Sequence, residues 1–159
     1  MKSFLKALTE MFSKNDPEND IQNYPLKKYE GRIEINKALE IENFHVHYSP
    51  DYAFETPVEI LNRINGKTLL WIDHQNSLLG FSHQKKTLLI PLHKINGIEI
   101  QNILKGKGPG ESDLFVYLKN SISVMLSVAP DPYYFDQYAD DIHKTTGFPV
   151  TFSPEFYNT

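Results

Sequence analysis

Two histidines in the segment NFHVHYS, residues 43–49, are the first side chains whose spacing could support chemistry. Side chains two positions apart emerge on the same side of a β-strand, so His45 and His47 could share a metal ion. A stable site needs further donors, and the remaining histidines are scattered along the chain. The segment also alternates apolar and polar residues, which predicts an ordinary strand with both histidines facing solvent. We therefore expect no metal site and no cofactor, with His45 and His47 as the only candidate ligands.

A serine hydrolase would need a nucleophile, a base and an acid, and Ser82, His83 and Asp73 supply the residue types. The segment LGFSHQ lacks the G-x-S-x-G turn that exposes a catalytic serine. Adjacent residues of a strand also point to opposite faces, which separates a nucleophile from its base. The sequence therefore favours a non-catalytic protein.

The glycine-rich segment LKGKGPGES, residues 104–112, could in principle bind phosphate through its backbone. It lacks the Walker spacing and leads into a strand rather than a helix, so it predicts a mobile hairpin loop. Long loops often carry contacts with partners, which makes Lys105 and Lys107 candidate binding residues.

Acidic and aromatic side chains near the C-terminus suggest a second candidate surface. Asp136 and Asp140 are helical neighbours, while Asp141 points about 100° away from Asp140 around the helix. This face is typical of a solvated helix, although it could also attract a basic partner. Tyr134 is offset from the packing stripe of the same helix, so we expect it to be the exposed aromatic residue of the segment.

Composition places the chain among soluble globular proteins of one domain. Its 159 residues are 40% hydrophobic and 23% charged, which is long enough for a proper core. The formal net charge of −4 argues against a general nucleic-acid binder, because phosphate demands a basic surface. No cysteine is present, so disulfides are excluded and a cytoplasmic location is expected.

The chain divides into a short amphipathic helix over residues 1–14, a linker over 15–30 and a main domain over 31–159. The helix is predicted because its apolar residues recur at helical spacing, and the linker because it is rich in Asn, Asp and Pro. A helix of this length is marginal alone in water, so its stripe must be buried somewhere. Docking on protein, including a second copy, and binding to an anionic membrane surface through residues 1–13 both remain open.

The main domain reads as a series of short strands with two helices. Thr56, Pro57 and Glu59 resemble a capped helix start, and the following apolar face predicts a helix over 57–64. Short polar breaks between the later strands favour antiparallel neighbours. Asp131 and Gly147 mark the start and the end of a C-terminal helix. Its expected packing stripe comprises Phe135, Tyr138, Ala139, Ile142 and Thr146.

Three segments carry a resemblance to the pleckstrin-homology-like (PH-like) domains of bacteria: LLIPLHKINGIEIQ, DLFVYLKNSISVML and YYFDQYADDIHKTTGFPV. The resemblance implies an α+β fold in which about seven antiparallel strands form a partly open barrel or roll. A C-terminal helix would cap one end of that barrel. The helix at 57–64 departs from the family pattern, because it would have to be an insertion between the first two strands.

These observations together predict a non-catalytic module that binds a protein or peptide. PH-like domains invite phosphoinositide binding, but the segment between the first two strands has no basic cluster to support it. The alternatives are a small acidic inhibitor of the immunity-protein type, a membrane-surface adaptor and an unrecognised hydrolase.

Overall fold

The computed structural model describes residues 25–42 and 45–159. The predicted N-terminal helix and residues 15–24 of the predicted linker lie outside these ranges. Ten strands were found in the described residues: β1 (Lys37–Ile41), β2 (Ala53–Glu55), β3 (Thr68–Asp73), β4 (Leu78–His83), β5 (Lys86–Pro91), β6 (Ile95–Leu104), β7 (Glu111–Leu118), β8 (Ser123–Ala129), β9 (Val150–Phe152) and β10 (Phe156–Tyr157). Two α-helices, α1 (Val58–Leu61) and α2 (Ala139–Thr146), and two 3-10 segments, Leu92–Lys94 and Tyr134–Tyr138, complete the fold.

The strands form two sheets. Sheet A has the order β1-β3-β4-β5-β2 and is antiparallel throughout. Sheet B has the order β10-β6-β7-β8, and β9 also pairs with β6. The β6–β7–β8 part is antiparallel, whereas β9 and β10 run parallel to β6. The expected α+β class with mainly antiparallel strands is confirmed, but the described strands number ten rather than seven and do not form a closed barrel.

The main core lies between the two sheets. Leu70, Phe81 and Ile90 face it from sheet A, and Ile100 and Leu114 face it from sheet B. Sheet B follows the alternation expected of a sheet with one buried face, since buried and partly exposed residues alternate along most of β6 and β7.

Sheet A is buried on both faces, which the alternation rule does not anticipate. Every residue of β3 and β4 is buried. The outer face of sheet A packs Leu69, Trp71 and Leu89 against Ile33 and Ile60, from the segment before β1 and from α1. The continuous apolar runs in the sequence therefore reflect a second, smaller core.

The strand predicted for the segment 43–49 is wrong over its described residues, 45–49. The first strand is β1, which ends at Ile41, and residues 45–49 form no strand. The backbone N–H of His47 donates to the carbonyl of Leu126 in β8. This segment therefore reaches β8, the edge strand of sheet B. Its alternating apolar and polar residues accompany a contact with that edge, and not a paired strand.

The predicted helix over 57–64 is present as the shorter α1, but its start differs from the prediction. No side chain caps it, because the Thr56 hydroxyl accepts a hydrogen bond from Thr87 inside the protein. Glu59 instead accepts a hydrogen bond from the backbone N–H of Ile33. Of the residues that resemble a capping box, Thr56 thus attaches the outer layer to sheet A, and Glu59 joins α1 to the segment before β1.

The C-terminal helix is confirmed, but α2 starts at Ala139 after the 3-10 segment, and not directly after Asp131 as predicted. Phe135 and Ile142 are fully buried in the main core, and Tyr138 and Ala139 pack against it. Gly147 ends α2 with φ of 75°, a left-handed conformation that favours glycine. The chain then turns back towards sheet B.

Candidate interaction surface

The chain after α2 runs along the outer edge of sheet B. The N–H of Ile98 in β6 donates to the carbonyl of Pro149, and the N–H of Asn158 donates to the carbonyl of Leu104 at the end of β6. Between these bonds lie the short strands β9 and β10. The tail thereby forms the edge of sheet B, and it brings its side chains beside the start of the C-terminal helical region.

Three exposed aromatic residues lie beside successive inward-facing positions of β6. Phe152 is opposite Ile100, and Tyr157 is opposite Leu104. Between them, the N–H of Tyr133 donates to the side-chain carbonyl of Asn102. Ile100, Asn102 and Leu104 share one face of β6, so the three aromatic residues follow the same short stretch of this edge. We call Tyr133, Phe152 and Tyr157 the aromatic row.

The aromatic row is more exposed than aromatic residues usually are. The exposed fractions are 46% for Tyr133, 54% for Phe152 and 64% for Tyr157. Phe156, at 47%, is opposite Ile103 and so faces the other side of the same edge. Large aromatic side chains are normally buried for most of their area, and their enrichment at one place is typical of protein interfaces.

The backbone of Tyr133 is strained in a way that places its ring at this edge. Its φ is 66° and its ψ is 6°, a left-handed conformation that costs a non-glycine residue about 1–2 kcal/mol. The buried amide of Asn102 holds it there by accepting from Tyr133 and donating to the carboxylate of Asp136. Strain of this kind is often maintained where a side chain has a function.

Carboxylates give the aromatic row a negative field. The hydroxyl of Tyr133 donates to Glu155 Oε2 at 3.1 Å. Desolvation raises the pKa of Tyr133, and the hydrogen bond to Glu155 and the charges of Glu155 and Asp136 raise it further. The carboxylates of Glu155 and Asp136 therefore place negative charge beside the Tyr133 ring, which suits a cation.

The glycine-rich loop adjoins the same edge and is held by the tail. The N–H of Gly108 donates to the carbonyl of Asn158, and the Asn158 amide donates to the carbonyl of Pro109. A Cβ atom on Gly110 would lie 2.5 Å from Pro132 Cγ, so the loop packs directly against the residue before Tyr133. The loop predicted to be mobile is therefore anchored by hydrogen bonds, with Lys105 and Lys107 exposed on it.

Residues 25–157 match the model of a protein family described as PM0294 C-terminal domain. The chain belongs to this family. The match includes both sheets, α2 and the aromatic row. No curated protein matches the chain. In the described residues, no helix is long and apolar enough to cross a membrane.

Among the other predicted binding residues, Asp136 lies at this edge, whereas Asp140, Asp141 and Tyr134 have other surroundings. Asp136 belongs to it through Asn102. Asp140 and Asp141 are exposed in the first turn of α2. Tyr134 is half-buried, and its hydroxyl contacts the Tyr138 hydroxyl and the carbonyl of Glu42. The expectation that Tyr134 is the exposed aromatic residue is therefore wrong, because the left-handed turn at its neighbour directs Tyr133 outwards instead.

The two candidate histidines have different surroundings. His47 is exposed, whereas His45 is half-buried with its ring 5.9 Å from that of His83. His83 in turn shares a hydrogen bond with the Thr68 hydroxyl at 3.1 Å. Within residues 25–42 and 45–159, no group of three or more His, Cys, Asp or Glu could hold a metal ion.

Ser82 has a structural environment rather than a catalytic one. It is fully buried, and its Oγ accepts a hydrogen bond from the indole N–H of Trp71 at 2.9 Å. Its hydroxyl also bonds to Thr87. Asp73 accepts hydrogen bonds from Asn76 in the β3–β4 turn and from the N–H of Glu34 in the segment before β1. The two residues thus serve different local networks.

Sequence reasoning missed four residues of this surface: Tyr133, Phe152, Glu155 and Tyr157. The segment VTFSPEFYNT, residues 150–159, did contain a signal, since aromatic residues flank a proline in a stretch too short to form a core. A tail that runs back beside an earlier strand in the parallel direction has no hairpin turn to announce it. The exposure of Tyr133 depends on one backbone angle, which no periodicity reveals.

Proposed function

We propose that this protein is a non-catalytic module that binds another protein or a peptide through the aromatic row. The single observation that carries the proposal is the exposure of Tyr133, Phe152 and Tyr157 side by side at one sheet edge. Rigid aromatic side chains provide large contact areas at a small entropic cost. A module of this type needs no nucleophile or metal, only a preformed surface.

The row is available for a partner because the fold depends little on it. The main core is composed of other residues, and Phe152 and Tyr157 project from strands of three and two residues at the edge. Three exposed aromatic residues would be a liability in a protein that had no use for them, since exposed apolar groups promote association. Their arrangement beside a fixed loop favours a specific contact.

The proposal extends to the fold and the location. Two sheets that face one core, followed by a helix after the last hairpin, support a variant of the PH-like arrangement, to which β9 and β10 would be additions. A cytoplasmic location suits a chain without cysteine.

A peptide selection tests the proposed function. Random peptides displayed on phage are selected against the full-length protein, and synthetic copies of the selected peptides are titrated against variants. We expect the double variant Phe152→Ser and Tyr157→Ser to bind at least about tenfold more weakly, because the loss of two interface anchors costs this much or more. The matched control is Ile122→Ser, since Ile122 is 57% exposed in the β7–β8 turn.

Equal affinity of the double variant and the wild type for the selected peptides would refute the proposed surface. The same conclusion would follow if the Ile122→Ser control lost binding to the same extent. Thermal unfolding of each variant must match the wild type to within a few degrees, which ensures that a loss of binding is local.

A further inference from the structure

We infer that the aromatic row recognises an arginine side chain of the partner protein, which stacks on the rings and pairs with Glu155. The inference rests on the proposed function and specifies the partner's chemistry. Two independent features carry it: three exposed aromatic side chains along one short stretch of the β6 edge, and the carboxylates near Tyr133.

The geometry suits a planar cation. A guanidinium group is flat, stacks on aromatic faces and presents a fork of N–H donors to a carboxylate. Tyr133 lies between Phe152 and Tyr157 along β6, and its hydroxyl already touches Glu155 Oε2. A guanidinium placed over the ring of Tyr133 would find the Glu155 carboxylate at the ring's polar end.

The charges favour a cation over an anion or a neutral group. Glu155 is exposed, and Asp136 adds a second carboxylate that is held in place by Asn102. The whole chain carries a formal net charge of −4, so a basic partner is also attracted at longer range. Lys105 and Lys107 lie on the adjoining loop and would limit how far along the edge a second cation could bind.

The hydrogen bonds of Asn158 favour a partner segment that approaches from the side away from the glycine-rich loop, which we call the open side. Asn158 is engaged with Leu104, Gly108 and Pro109, so the end of β10 is closed by the loop. Phe152 and Glu155 are exposed on the open side, whereas Thr151 is opposite Glu99 and faces the other side of the edge. The arginine is therefore expected to enter between Phe152 and Tyr157 rather than from the loop.

The test compares arginine with its uncharged isostere. A short acetylated and amidated peptide with one central arginine is titrated into the ¹⁵N-labelled full-length protein, beside identical peptides that carry citrulline or lysine. We expect the arginine peptide to bind about tenfold more tightly than the citrulline peptide, with lysine between them. Amide shifts should change at Tyr133, Phe152, Glu155 and Tyr157.

Two variants identify the carboxylate that binds the arginine. Glu155→Gln should reduce the preference for arginine over citrulline to less than about threefold, because it removes the carboxylate and keeps the size of the side chain. Asp140→Asn, an exposed carboxylate on α2, is the matched control and should retain the preference. A preference that survives Glu155→Gln but is lost in Asp140→Asn would place the arginine site on the helix face and overturn the inference.

The inference and the proposed function fail in different ways. If arginine and citrulline peptides bind equally well and both lose affinity in the Phe152→Ser and Tyr157→Ser double variant, the partner is not cationic, but the aromatic row still binds it. If neither peptide perturbs the row, and the selected peptides are also indifferent to the double variant, the proposed function fails with the inference.

Discussion

A buried carboxyl pair on β7 should make the stability of this protein depend on pH. Asp113 is 4% exposed, and its Oδ1 has no hydrogen-bond donor among the described residues. Glu111 lies two positions away on the same face of the strand, while Gln101 and Val128 are opposite on β6 and β8. Burial, followed by the hydrogen bond to Glu111 and its charge, raises the pKa of Asp113 to about 8.

The sign of the pH dependence follows from the proton that the folded state retains. Between pH 4 and 8 the folded protein keeps a proton on the pair, which the unfolded chain releases, because an unfolded aspartate has a pKa of about 3.9. The free energy of unfolding should therefore fall as the pH rises through this window. The full difference of about 4 pH units would correspond to about 5–6 kcal/mol. Because Glu111 is partly exposed and the pair titrates together, about 1–3 kcal/mol is the realistic magnitude.

Asp113→Asn isolates this effect, since an amide can donate to Glu111 as the protonated carboxyl does. We expect the variant to match the wild type near pH 5 and to be about 1–3 kcal/mol more stable near pH 8.5, where the wild-type pair carries two charges. Urea unfolding at a series of pH values measures this difference through the fluorescence of Trp71, the single tryptophan of the chain. Asp140→Asn serves as the exposed control, with an unchanged pH dependence. Parallel curves for the wild type and Asp113→Asn from pH 4.5 to 8.5 would refute the reasoning.

Three further substitutions test the packing. Gly80→Ala should lower the free energy of unfolding by about 3 kcal/mol or prevent folding, because the new Cβ would lie 2.0 Å from the Trp71 ring. A urea titration measures this change, and unchanged stability would mean that the ring is not packed across Gly80. Ser82→Ala should lower the free energy of unfolding by about 1–3 kcal/mol in the same measurement, since the buried N–H of Trp71 loses its acceptor. A near-neutral result would contradict that hydrogen bond. Tyr133→Gly should retain or raise the melting temperature, because glycine adopts the left-handed backbone without strain. The same variant should abolish the preference for arginine. A large loss of stability would show that Tyr133 serves the fold.

The sequence predicts sheet B better than sheet A. In β7 a single buried face makes Leu114, Val116 and Leu118 alternate with partly exposed positions, so the period of two is visible. A register shift between Leu114 and Phe115 then turns Val128 outwards, although Val124 and Leu126, at the same spacing, are buried. A bulge of this kind changes the face of later residues without a mark in the sequence.

Sheet A was harder to predict because both of its faces are buried. Its central strands read as continuous apolar runs, which fit a strand but do not say which side faces the main core. The second layer is formed by residues before β1 and by α1, including Ile33 and Ile60. A polar residue that joins the two parts of this layer, Glu59, looks like a helix-capping residue in the sequence. Local patterns cannot distinguish a carboxylate that caps its own helix from one that binds a distant backbone.

The acidic character of the C-terminal region was predictable, but the position of the surface was not. Asp136 was recognised from helical spacing, and it does lie beside the aromatic row. Glu155 and Tyr157 come from the tail, which is brought back to β6 by parallel pairing over only a few residues. Contacts between segments so far apart in the chain depend on the fold as a whole.

Hydrogen exchange with and without the arginine peptide shows whether the tail or α2 forms the binding surface. We expect slower exchange of backbone amides in residues 150–158 and at Tyr133 when the peptide binds, with no change in α2. Protection confined to Asp140, Asp141 and the rest of α2, with the tail unaffected, would contradict it.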